Sequence, residues 1–150
     1  MSDDLRRLEN WAAPLLAKLS STERRKLNQT LARDLRRSQQ QRIATQREPD
    51  GTPYAPRKKQ QRSKKGRIKR QMFSRLRQAR RMRLRSTPDE AAIAFMGRAA
   101  RIARVHQYGL RDRPGKGQAD VRYERRELLG FSVDDLRLIE EKLIQHLTNV

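Results

Sequence analysis

Between residues 51 and 88 the chain carries no acid and fifteen Lys or Arg residues. That one segment supplies +15 of a formal net charge of +20. Its densest part, RKKQQRSKKGRIKR at 57–70, holds nine basic residues and a single aliphatic one, Ile68. Such a stretch cannot bury enough apolar surface to offset its own ordering entropy. The fold must therefore be built around it, with 57–70 as an inserted, exposed and mobile basic loop. Its cations, Arg57, Lys58, Lys59, Arg62, Lys64, Lys65, Arg67, Lys69 and Arg70, are the candidate contacts for a polyanion or an acidic protein partner.

The rest of the chain has little to build a core with. Hydrophobic residues make up 35% and charged residues 36% of 150 positions. So high a charge repels itself in a compact monomer, and a thin core points to stability gained by assembly. The length predicts one domain over 1–150. There is no cysteine, which removes disulfides, thiolate nucleophiles and Cys-ligated zinc. No apolar run approaches the ~18 residues of a membrane span, and the first residues lack the apolar stretch of a secretory leader.

Apolar spacing predicts a helix over 2–19, striped by Leu5, Leu8, Ala12, Leu15 and Leu19 and kinked at Pro14. Ser20 and Glu23 fit a capping box for a second helix running to about Thr45, striped by Leu27, Leu31 and Leu35, with Ile43 alone to bury beyond them. These two form a helical arm over 1–46. The turn-rich EPDGTPYAP at 48–56 ends it, with Tyr54 as an anchor. Met72, Phe73, Leu76 and Ala79 predict a short helix. MRLRS (82–86) and AAIAFMG (91–97) predict a hairpin, and 121–129 a further strand. A helix over 99–108, with Ile102 and Val105 inward, ends at Gly109. Ser132 to Asp135 caps a last amphipathic helix carrying Leu136, Ile139, Leu143 and Leu147. The class is α+β: an N-terminal helical pair, a small hairpin-based sheet and a C-terminal helix.

Chemistry-bearing residues are sparse. The two histidines, His106 and His146, lie forty positions apart with no HxxxH, HxH or Glu-xx-His pattern. His106 falls in the last turn of its helix, where the dipole favours an imidazolium. A base needs a nucleophile and an orienting partner, and the nearest downstream acid is Asp112 in a loop. His106 therefore reads as a packing or interface residue. RPGKG at 113–117 lacks the GxxxxGK[ST] register and reads as a turn. Asp134 and Asp135 are explained by the helix N-terminus. No catalytic, cofactor-binding or metal-binding residue is assigned, and no cofactor.

Four segments carry a resemblance. EPDGTPYAP (48–56), MFSRLR (72–77), AAIAFMGRAARIARVHQYGL (91–110) and VRYERRELLGFS (121–132) resemble, in this order, the phage virion morphogenesis family. The resemblance covers residues 22–148 and is most specific at VHQYG and RELLGFS taken as a pair. It implies a small non-enzymatic late protein that finishes the phage tail at its head-proximal end, so that tail and filled head join. It also implies host cytoplasm or the tail and neck of the virion as its place. The implied partners are further copies of itself in a ring, often sixfold, tail or head–tail connector proteins, and DNA in the channel, with no membrane. His106, Tyr108, Gly109, Leu128, Leu129 and Phe131 would then be interface residues. The alternative from composition is a small basic nucleic-acid-binding protein, against which stands the absence of any helix-turn-helix, zinc-finger or aromatic RNA-binding pattern.

Overall fold

The computed structural model describes residues 2–57 and 71–148. Its spine is helix α2, Ser21–Ala44. Ser20 starts it: the Glu23 amide donates to Ser20 Oγ at 3.2 Å, and the Ser20 amide donates to the Glu23 carboxylate at 3.3 Å. This reciprocal cap satisfies two of the amides that a helix N-terminus leaves over.

The apolar stripe of α2 serves two separate cores. Leu27 and Leu31 join Ala12, Leu19 and Leu143 in one cluster. Ile43, more than three turns on, joins Tyr54, Leu76, Met82, Ala99, Ala103 and Leu128 in the other. The first cluster packs α1 (Ser2–Leu16) and α4 (Val133–Thr148) on the N-terminal half of α2. The second sits under the antiparallel hairpin β1 (Met82–Ser86) and β2 (Ala91–Phe95) and helix α3 (Arg98–Tyr108). Side chains of α2 also bind the hairpin's backbone. Asn28 donates to the Thr87 carbonyl at 2.7 Å and Arg36 to the Met82 carbonyl at 3.2 Å. So α2 is packed along its length and does not project as an arm.

Between the two clusters α2 carries a polar knot that the spacing of leucines does not announce. Gln39 is buried and Asp135 has no exposed surface. Ser38 donates to one Asp135 oxygen, and Gln39 Nε2 to the other at 3.1 Å. Asp135 closes the cap of α4 as well, accepting from the Ser132 amide at 3.0 Å while its own amide donates to Ser132 Oγ at 3.0 Å. The capping role expected of Asp135 is therefore half of what it does. A buried carboxylate needs this many donors, because an unpaired one costs several kcal/mol (~3–5).

Several expectations fail for identifiable reasons. Helix α1 ends at Leu16, two residues past Pro14, and tight turns carry the chain to Leu19. Residues 72–81 form consecutive turns and no helix: Phe73 stands at φ 67, in the left-handed region, and Gln46 ties down the Met72 amide and carbonyl at 3.0 and 2.9 Å. Ile102 faces outward, 47% exposed, because α3 turns Ala99 and Ala103 to the core. The strand expected over 121–129 is only Val121–Arg122 (β4), and it pairs with Arg111–Asp112 (β3), apart from the hairpin.

Candidate functional site

The region of interest is where the chain turns back after α3. Gly109 caps that helix at φ 63, ψ 54, in the left-handed conformation that glycine adopts without strain. The turn is also tight: a Cβ on Gly109 would lie 3.1 Å from the Arg125 backbone nitrogen. This close approach lets the 123–130 segment run beside the end of α3. The Tyr123 amide donates to the Leu110 carbonyl at 3.0 Å, and the Arg126 amide to the His106 carbonyl at 2.7 Å.

From there on, side chains replace a sheet partner. Gln107 Oε1 accepts from the Leu128 and Leu129 amides at 2.8 and 3.0 Å, and its Nε2 donates to the Leu129 carbonyl at 2.7 Å. The Glu127 amide donates to the Glu48 carboxylate at 3.2 Å, and the Gly130 amide to Gln39 Oε1 at 3.2 Å. Arg126, only 5% exposed, sends Nε to the Ala55 carbonyl at 2.7 Å and Nη2 to the Pro56 carbonyl at 2.9 Å. Tyr54 OH reaches the Glu127 carbonyl at 3.1 Å, so the anchoring role expected of Tyr54 is present. This is why 123–129 is not a ladder strand.

The segments VHQYG and RELLGFS, far apart in sequence, thus form one strapped unit with EPDGTPYAP. Gly130 shows how closely: a Cβ there would come within 2.6 Å of Pro49 Cγ.

His106 lies inside this unit. Its ring meets Phe73 edge-on at 4.8 Å and Tyr123 at 5.1 Å. Burial, and then the nearby Arg126 cation, push its pKa down to about 4. The imidazolium expected from the helix dipole is therefore absent near neutral pH, because desolvation outweighs a dipole worth ~0.3–1 kcal/mol. Its buried Nδ1 meets no hydrogen-bond partner. A cavity of about 350 Å³ opens beside it, lined by Phe73, Tyr123 and the arginines 57, 122 and 126. Glu124 also lines this cavity, yet no side chain hydrogen-bonds the imidazole Nδ1, and among the described residues no Ser, Thr, Cys or Lys stands in the lining as a nucleophile. Among the described residues no group of three His, Cys, Asp or Glu could hold a metal ion.

The other interface candidates separate by exposure. Leu128 has no exposed surface and belongs to the core, so it has nothing to present to a partner. Leu129 and Phe131 are half-buried, and Tyr108 is 66% exposed. Of the nine basic-loop candidates, Arg57 alone is among the described residues. Lys58, Lys59, Arg62, Lys64, Lys65, Arg67, Lys69 and Arg70 lie outside them.

The family model described as the phage virion morphogenesis family matches residues 3–148. The chain belongs to this family. Membership covers α1 as well, which extends the resemblance drawn at 22–148 to the N-terminal helix. One virion morphogenesis relative, tail completion protein S of Escherichia phage P2, is 42% identical over 147 residues, which span 97% of this chain and 98% of that protein. No solved structure matches. Among the described residues no helix is long and apolar enough to cross a membrane.

Proposed function

We propose that this chain is a non-enzymatic tail completion protein. It acts at the head-proximal end of the phage tail during assembly in the host cytoplasm and makes the tail competent to join a filled head. The observation that carries this reading is the 42% identity to a tail completion protein across nearly the full length of both chains. The site agrees with it: Arg126 and Gln107 are spent on strapping backbone, and the buried His106 Nδ1 has no hydrogen-bond partner to orient or activate it. In this reading the chain works as a homo-oligomeric ring. Tyr108, Leu129 and Phe131 serve at its contacts with neighbours or with tail and connector proteins, while His106, Gly109 and Leu128 hold the surface that presents them. The basic segment meets DNA in the channel or an acidic partner face.

The test is extract complementation. Cells infected by the phage lacking this product should accumulate filled heads and separate tails, and added purified chain should restore infectious particles. Normal particle yield without the chain would overturn the assignment.

A second reading, a basic nucleic-acid-binding regulator, is favoured by the net charge of +20 and by Arg83 and Arg85 alternating on one exposed side of β1. Sequence-selective shifts of DNA on a gel would favour it over tail completion.

A further inference from the structure

The large apolar side chains left exposed fall in two places only among the described residues. Met96, Ile102, Tyr108 and Leu110 lie on α3 or at its two ends. Trp11, Val133 and Ile144 lie on α4 and on α1, which packs against it. The two places differ in charge. From 98 to 111 there is no acid, and Arg98, Arg101 and Arg104 point outward. Asp112 pairs with Arg101, which leaves Arg98 and Arg104 as the outward charge of α3. On α4, Asp134, Glu140 and Glu141 are exposed against Arg137, while Lys142 turns to Asp34 of α2 at 3.4 Å. The outer side of α4 is thus net acidic on a chain of +20.

We infer that the α3 face of one copy of this chain docks on the α4 face of the next, head to tail. Two copies carrying this much positive charge repel each other in most orientations. Placing α4 on α3 is attractive in charge and covers exposed apolar side chains of both faces, Tyr108 on one and Ile144 on the other. A groove of about 610 Å³ runs between α3 and β2, with Phe95, Ala100 and Leu129 in its walls and Arg104 and Tyr108 at its rim. Ile144 is an apolar knob with Glu140 and Glu141 one turn before it, so carboxylates arrive where the groove's arginine waits. The two faces belong to different elements on different cores. Contact between unlike faces propagates from copy to copy and closes into a ring when the rotation allows. This inference rests on the self-assembling reading proposed above and names the surfaces that it needs.

The test is sedimentation of the full chain and of two charge-reversed variants, Arg98→Glu with Arg104→Glu, and Glu140→Lys with Glu141→Lys. All four positions are exposed, so melting curves should stay parent-like. Each variant alone should associate at least about tenfold more weakly than the parent. An equimolar mixture should recover association, because each variant's reversed face meets the other's opposite one. Tyr108→Ser and Ile144→Ser, which change no charge, should weaken assembly too and serve if a reversal unfolds the chain. Parent-like association of both reversed variants, or a mixture no better than either alone, overturns the inference while leaving a ring built on other faces. A parent that stays monomeric at all concentrations overturns both this inference and the self-assembling reading.

Discussion

At the residue scale the clearest case is His106. Its pKa is near 4 in the folded chain and near 6.5 when unfolded, so between these values the unfolded state binds more protons. Stability should therefore fall as pH drops from about 6.5 to about 4, by up to roughly 2–3 kcal/mol from this group. Chemical denaturation at several pH values, for the parent and for His106→Phe, measures it. The variant should lose that component of the pH dependence, and an unchanged pH profile would mean that His106 is not the buried neutral group. Gln107 is the second case. Gln107→Ala leaves the Leu128 and Leu129 amides without their acceptor and should cost about 2–4 kcal/mol, seen as a lower denaturation midpoint. Gly109→Ala should cost about 1–2 kcal/mol, since the new Cβ meets the Arg125 backbone in a left-handed residue. A melting temperature equal to the parent's would contradict the tight turn.

At the scale of elements, the cap of α2 offers a direct check. Ser20→Ala should destabilise by about 1 kcal/mol, and Ser20→Asp should retain most of the parent's stability. What was legible in the sequence was the local signal of this kind. Ser20 with Glu23, Ser132 with Asp135 and Gly109 all stand at helix ends where their chemistry places them. The hairpin was legible because MRLRS alternates and a Thr-Pro turn follows it. What was not legible depends on distant partners. Residues 123–129 look like a strand, yet their amides go to Gln107, Glu48 and the turn after α3. Ile102 looks inward on a helical wheel, but alanines let α3 sit closer to the core and turn it out. Gln39 and Asp135 gave no sign of burial, because each is satisfied by a side chain about 96 residues away. Of the candidate site, the pairing of VHQYG with RELLGFS was visible as a pattern, whereas the neutrality of His106 came from Phe73 and Tyr123 closing over it.

At the scale of the whole molecule, two modest cores joined by a polar knot and a charge of +20 describe a chain that gains from being covered. Contact with DNA would leave a salt signature. A sixfold assembly placing one cation per copy on a phosphate should show a slope of about −5 in log affinity against log salt, or roughly 10³-fold between 50 and 200 mM. Titration of the purified chain with duplex DNA at these two salts checks it, and a flat response would leave a protein partner for the basic segment.

In the proposed reading the chain acts as a multimer seated on the head-proximal end of the tail. Electron microscopy of tails purified with and without this protein tests that placement. The expected result is annular density at the head-proximal end that disappears, together with head joining, when the chain is missing. Tails of identical end structure that join heads equally well in both preparations would contradict it.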